Sequence, residues 1–381
     1  MPTPPSPIAF IDLKAQQARI RPQVEARFTA ILDHGAYING PEVRELEDAL
    51  CAFTGCAKAL AVGNGTDALI IPMMALGVTK SDAVFIPAFT YNATCSAAMI
   101  SGATPVFVDV RPSDFAMDPA DLERRIAEAK AQGLNPKMVV AVDLFGIPAD
   151  YEALFAIAQR HGMVVLADAA QSFGCRWNGR YAGNIAEVTG TSFFPAKSLG
   201  CYGDGGAIMF RDEKLWQACE EIRWHGTDAA GRKESIRVGM NGRLDSIQCA
   251  IVTEKLKIFG DELARRTEIA ALYNDRLAGA FDAQAFAPGA ESGWGYYTVA
   301  IDDREAMQAR LKEDGVPTAI YYPQSLNTMK AFEHLNPAGG MPMAERLASR
   351  VLSLPLHPYM SDAQANYVCD RFLAAVERRN D

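Results

Sequence analysis

The sequence has no HExxH, no CxxC and only five histidines in 381 residues. No metal site is expected, because zinc and iron–sulfur centres need closely spaced nitrogen and sulfur donors. The eight cysteines are spread along the whole chain, unlike the dense pattern of a disulfide scaffold. Reduced thiols in a cytoplasm are expected. A positive balance is also missing: 37 Lys and Arg face 46 Asp and Glu, a formal charge of -9. Such a chain is not expected to bind nucleic acid, although a local arginine cluster can still take an anionic small molecule. No apolar run reaches the roughly 18 to 20 residues that span a bilayer. One of the longest, KMVVAVDLFG, is broken by Asp143. The start, MPTPPSPIAF, lacks the basic and apolar regions of a secretory signal. Its prolines predict a loose, extended leader over residues 1–10.

What is present is an ordinary globular composition, 49% hydrophobic and 22% charged, in a chain long enough for two domains. Two helices are predicted first, over FIDLKAQQARIRPQVEARFTAILDHG and YINGPEVRELEDALCAFTG. From residue 57 strands and helices alternate, and the strands are almost wholly apolar and β-branched. That pattern predicts an α/β fold with a mostly parallel central sheet covered on both faces. A long helix over roughly 244–277 reads as a bridge to a smaller α+β region, with boundaries uncertain by a few residues. GWGYYTVAID and PTAIYYP are read there as strands. The division expected is a leader at 1–10, a large domain at 11–255 and a small C-terminal domain at 256–381.

The stretch TSFFPAKSLGCYGDGGAIMF stands out because Lys197 leaves an apolar run and faces a glycine-rich loop. A lysine that loses its proton in such a setting is an amine nucleophile. Most loop lysines are merely solvated, so its partners decide. Asp168 ends the strand MVVLAD, and a carboxylate after four apolar residues is costly to bury without a cation. A protonated pyridine nitrogen is such a cation, and holding it keeps the ring an electron sink. A simple turn-capping Asp is the ordinary alternative. Gln171 can then reach the ring's phenolic oxygen. AVGNGTDAL places Gly65 and Thr66 at a helix start that suits a phosphate, with Ser192 as a further hydroxyl. Gly63, Gly65 and Ala68 nominally satisfy a dinucleotide fingerprint, but two helices precede it and no acidic residue ends the next strand; on this segment alone a phosphate site and a plain turn both stay open. Tyr91, at another strand end, can stack on a cofactor ring or pack in the core. Arg223, His225, Arg232, Lys233, Arg237 and Arg243 make a basic stretch in an acidic chain. It reads either as a solvated loop or as a pocket for diphosphate and carboxylate groups. Together these residues point to pyridoxal phosphate (PLP) carried on Lys197.

GNGTDAL, PAFTYNAT, GATPVFVDV, DAAQSFG, SFFPAKSLGCYGDGGAI, HGTD and GMNGRLDSIQCAI, in this order, resemble the DegT/DnrJ/EryC1/StrS family of sugar aminotransferases. The resemblance runs from about Phe10 to Pro358. It implies a fold-type-I PLP enzyme, a homodimer with shared active sites, that moves an amino group from L-glutamate to a nucleotide-linked keto-sugar. It implies Lys197 as the cofactor-bearing lysine, Asp168 as the pyridinium partner and Gln171 as the ring-oxygen contact. Gly65, Thr66 and Ser192 match the phosphate site, and Asn241 the asparagine that a neighbouring subunit sends to it. FIDLKAQQARI, HGAYINGPEV and GVPTAIYYPQSLN are similar to the subgroup acting on UDP-2-acetamido-2-deoxy-3-oxo-glucuronate, in bacterial surface polysaccharide synthesis. There Arg243 and the pair Tyr321 and Tyr322 are implied to come to the sugar from the partner subunit. Position 321 is Tyr where that subgroup has His. The alternatives kept are a dTDP- or GDP-linked 3-keto- or 4-keto-sugar aminotransferase, a PLP-dependent sugar dehydratase, whose relatives carry His at the lysine position, and a non-catalytic regulator.

Overall fold

The computed structural model describes residues 4–228, 234–281 and 284–377. Helix α1 (Leu13–His34) starts at Asp12, whose carboxylate accepts the Ala15 N–H at 2.9 Å, and α2 (Pro41–Thr54) starts on a proline. Both devices satisfy or remove N–H groups that a helix start leaves over. Then β1 (Lys58–Val62), α3 (Gly65–Ala75), β2 (Asp82–Pro87), α4 (Asn92–Ile100), β3 (Thr104–Val108), α5 (Pro119–Ala131), β4 (Asn135–Val142), α6 (Tyr151–His161) and β5 (Val164–Asp168) alternate. The short β6 (Arg176–Trp177) and β7 (Arg180–Tyr181) are followed by β8 (Val188–Ser192), β9 (Gly206–Phe210), α7 (Trp216–Arg223) and the long α8 (Ser246–Arg276). Last come β10 (Ala290–Glu291), β11 (Tyr297–Ala300), α9 (Arg304–Glu313), α10 (Pro342–Arg350), β12 (Val351–Leu354) and α11 (Asp362–Glu377).

The central sheet has seven strands in the order β1-β9-β8-β5-β4-β2-β3. From β8 to β3 all neighbours are parallel, as crossover helices require. Strand β9 runs antiparallel to both β8 and β1, because the loop carrying Lys197 turns the chain straight back. Successive residues of β2 feed different cores: Val84 and Ile86 pack with α3 and α4, Ala83 and Phe85 with α5 and α6. Full burial of the Val84, Phe85 and Ile86 side chains is worth roughly 1.5–3 kcal/mol each, so the strand holds both layers in register. A separate cluster packs β11 and β12 against the end of α8, α9 and α11.

Two expectations need correction. PTAIYYP is not a strand. Only Ala319 bridges Ser353 there, and the tyrosines that follow line a cavity instead of pairing. Aromatic and β-branched content reports a half-buried surface, and a cavity wall is one. The leader is not loose over its described residues. Gln364 Nε2 donates to Ser6 Oγ and to the Pro7 carbonyl, both at 3.0 Å, and Ile8 packs on the C-terminal cluster. Among the described residues no helix is long and apolar enough to cross a membrane.

Candidate active site

The C-terminal ends of β2, β4, β5 and β8 open onto one cavity of about 410 Å³, the usual mouth of a parallel α/β sheet. Lys197, Asp168, Gln171, Ser192, Gly65, Thr66, Tyr91, Tyr321 and Tyr322 all line it. Asp168 is buried at the end of β5, where it pairs in register with Val142 and Gly190. Its Oδ2 accepts the Thr94 hydroxyl at 2.8 Å and its Oδ1 the Ala170 N–H at 3.2 Å. Burial pushes its carboxyl above the ordinary aspartate range, and those hydrogen bonds with the Lys197 charge pull it back. Lys197 follows a turn closed by its own N–H on the Phe194 carbonyl at 2.8 Å. Its amine lies in a desolvated part of the cavity, which lowers its pKa, and Asp168 opposes that shift. A desolvated amine and a buried carboxylate thus face the same space, each lacking a full counter-charge.

At the other end, α3 points its N-terminus into the cavity. Asn64 caps the helix by accepting the Asp67 N–H at 2.8 Å, so the amides of Gly65 and Thr66 are the ones left over. A Cβ on Gly65 would sit 2.7 Å from the Ser192 Cβ. That approach brings the Ser192 hydroxyl beside the helix start, and any side chain at 65 would fill the cradle. Ser192 Oγ accepts the Phe194 N–H at 3.2 Å, leaving its own proton to donate inward. Gly200 is required by the same loop: a Cβ there would meet the Phe194 and Pro195 carbonyls at 2.6 Å.

Gln171 has only one workable orientation. Its Oε1 accepts the Phe145 N–H at 2.7 Å, and its Nε2 donates to the Tyr322 hydroxyl at 2.8 Å. The amide therefore offers donors, not acceptors, to a ligand. Tyr91 is 55% exposed, and its ring lies 5.5 Å from that of Tyr322. These observations suit an anionic phosphate at one end, a protonated ring nitrogen at Asp168 and a carbonyl carbon at Lys197. Among the described residues no group of three or more His, Cys, Asp or Glu could hold a metal ion.

One chain does not bring every implied residue together. Asn241 and Arg243 lie outside the cavity lining; Asn241 bridges Trp224, and the Arg243 guanidinium stacks 4.5 Å from the Trp224 ring. The pair Tyr321 and Tyr322, implied to serve the partner's site, instead lines the cavity of its own chain. The Gln171 hydrogen bond ties it there. In the basic stretch, Arg223 pairs with Glu47 at 2.6 Å and Arg237 with Glu221 at 2.7 Å, so neither is an open anion fork. Arg232 and Lys233 lie outside the described residues.

Sequence reasoning missed Thr94, Tyr296 and Asp143. Thr94 sits inside PAFTYNAT, seven residues after the end of β2, where a hydroxyl facing a buried acid has no local signature. Asp143 is buried beneath the site, accepting the Tyr151 hydroxyl and the Ala149 N–H at 2.9 Å and the Ser172 hydroxyl at 3.0 Å. Burial lifts its carboxyl to about 7. It anchors the turn from which Phe145 reaches Gln171. Thr94→Val is expected to lower kcat/KM roughly 10- to 100-fold with the fold retained, the scale of one hydrogen bond to a charged group. Steady-state kinetics beside a thermal melt checks this.

Residues 18–373 match the DegT/DnrJ/EryC1/StrS aminotransferase family. The chain belongs to that family. It is 44% identical over 363 residues to a UDP-2-acetamido-2-deoxy-3-oxo-D-glucuronate aminotransferase of Pseudomonas aeruginosa, covering 95% of this chain and 98% of that one. Among solved structures, a DegT/DnrJ/EryC1/StrS aminotransferase from Brucella abortus superposes with a TM-score of 0.93 at 40% identity, over 96% of this chain and 99% of that one. NtdA from Bacillus subtilis, solved with bound cofactor PMP, gives 0.89 at 26% identity, over 98% of this chain and 86% of that one. This member of the aminotransferase family is a PLP-dependent nucleotide-sugar aminotransferase with the fold-type-I architecture.

Proposed function

We propose that the enzyme takes an amino group from L-glutamate and places it at C3 of UDP-2-acetamido-2-deoxy-3-oxo-glucuronate. The observation that carries this reading is the 44% identity along nearly the whole of both chains, joined to a cavity in which Lys197 and Asp168 meet. When bound, PLP supplies an electron sink for the carbon that loses or gains a proton. Lys197 would hold the cofactor, and its Nζ amine would carry a proton to and from the reacting carbon. Its lowered pKa supports that role, because the amine must shed its proton near neutral pH. Asp168 keeps the ring nitrogen protonated, and Thr94 orients Asp168. Gly65, Thr66 and Ser192 receive the phosphate, Gln171 donates to the ring oxygen and Tyr91 covers the ring.

In this reading a second copy of the chain completes each site with Asn241 and Arg243, which lie outside the lining of their own cavity. The chain then divides into a large domain at 11–255 and a small one at 256–381, supported by the separate C-terminal apolar cluster. The setting proposed is cytoplasmic synthesis of a bacterial surface polysaccharide. A panel of UDP-, dTDP- and GDP-linked 3-keto and 4-keto sugars, offered with glutamate and scored by 2-oxoglutarate release, tests the assignment. The UDP-linked 3-keto uronate is expected to give the highest kcat/KM. A preference for a dTDP- or GDP-linked or a 4-keto sugar would overturn it.

A further inference from the structure

Phe10, at the end of the leader, is not among the cavity-lining residues, yet it touches two residues that are. Its ring stacks on Tyr296 at 6.4 Å between centroids and tilts against Tyr321 at 6.3 Å. Tyr296 and Tyr321 lie 4.5 Å apart, Tyr321 and Tyr322 5.8 Å, and Tyr322 and Tyr91 5.5 Å. The four tyrosines line the cavity, so the leader ends against the back of a continuous aromatic wall. The two ends of that wall are held differently. Tyr322 is fixed by the Gln171 hydrogen bond at 2.8 Å. Tyr296 and Tyr321 are packed against each other, and Phe10 supplies a further ring contact to each. Phe10 in turn is placed by the ties of Ser6 and Pro7 to Gln364 and of Ile8 to the C-terminal cluster.

We infer that Phe10 is a positioning residue for the keto-sugar substrate: by holding Tyr296 and Tyr321 it sets the wall on which the sugar ring docks. The inference rests on reading the cavity as a nucleotide keto-sugar site. A sugar presents C–H faces and hydroxyls, and a phenol ring offers a flat apolar face with a polar tip that suits both. The amino donor is small and reacts at the Lys197 end, whereas a nucleotide-linked sugar must extend along the wall. Loosening the rings behind the surface therefore affects one substrate and spares the other.

Wild-type, Phe10→Ala and Phe10→Leu holoenzymes would be compared in two separate half-reactions. Glutamate changes the visible absorbance of the bound cofactor, and UDP-2-acetamido-2-deoxy-3-oxo-glucuronate restores it. Phe10→Ala is expected to raise KM for the sugar about tenfold, the scale of one or two lost aromatic pairs. Its kcat and the glutamate half should stay at wild-type values. Phe10→Leu keeps apolar volume and is expected to shift the same constant by about threefold; it carries the test if the alanine variant yields no folded holoenzyme. Equal loss in both halves, or no change in either, overturns the proposal. A wild-type enzyme that responds to glutamate and to no nucleotide keto-sugar overturns the functional reading, and this inference with it, by a result the variants do not produce.

Discussion

Lys197→Ala is expected to abolish the visible absorbance of covalently held cofactor and to slow turnover by about 10⁴-fold, near the upper end for loss of a positioned acid–base group. The amine is proposed to do two jobs with one atom, attachment and proton transfer, and effects of groups acting as a unit do not simply add. Among the described residues nothing else lining the cavity offers a second primary amine. Lys197→Arg separates charge from chemistry. It keeps a cation opposite Asp168 but stays protonated at any accessible pH, so it should be as inactive as the alanine variant. A spectrum and a single-turnover assay decide the matter, and retention of both absorbance and turnover in either variant would remove Lys197 from its role.

Asp168→Asn should lower kcat by roughly 10³-fold while leaving the protein folded. A buried carboxylate beside a protonated ring nitrogen is an ion pair out of water, and breaking such a pair costs roughly 3–5 kcal/mol. Asn keeps the shape and can still accept from Thr94, but it cannot hold a proton on the ring. The cofactor-free protein should respond the other way. Burial raises the Asp168 carboxyl above its unfolded value, so the native state binds a proton that the unfolded chain has already released. Stability of the cofactor-free protein is then lost as pH rises above the ordinary aspartate range. Asn carries no such charge. Cofactor-free Asp168→Asn should melt higher than cofactor-free wild type at neutral pH, with the gap closing toward pH about 4. An equal or lower melting temperature at neutral pH would mean that the hydrogen bonds from Thr94 and Ala170 already offset the burial. The pair of results would mark Asp168 as a residue kept for chemistry against the interest of the empty fold.

Most of the candidate site is legible in the amino-acid sequence. Asp168, Ser192 and the 65–66 turn each close a strand or open a helix, Lys197 lies in the loop that follows Ser192, and in a parallel sheet those positions share one edge. Placing them on separate α/β units is enough to predict that they meet. The boundaries of α8 are legible as well, within a residue or two at each end. What fails is of another kind. PTAIYYP has the composition of a strand, but its tyrosines are consumed by a cavity wall. The leader has the prolines of a loose tail, but Gln364, more than 350 residues away, ties it down. Thr94 and Asp143 carry no pattern, because their partners are distant in sequence.

Local rules therefore determined the class of fold and which side chains gather at its cavity, since turn glycines, helix starts and strand ends impose their chemistry within a few residues of themselves. Only the tertiary structure decided that Tyr321 and Tyr322 belong to their own chain's cavity, that Gln171 presents donors, and that Phe10 stands behind the aromatic wall. Each of those depends on side chains meeting across long sequence separations, where packing and burial, not local preference, choose the partner.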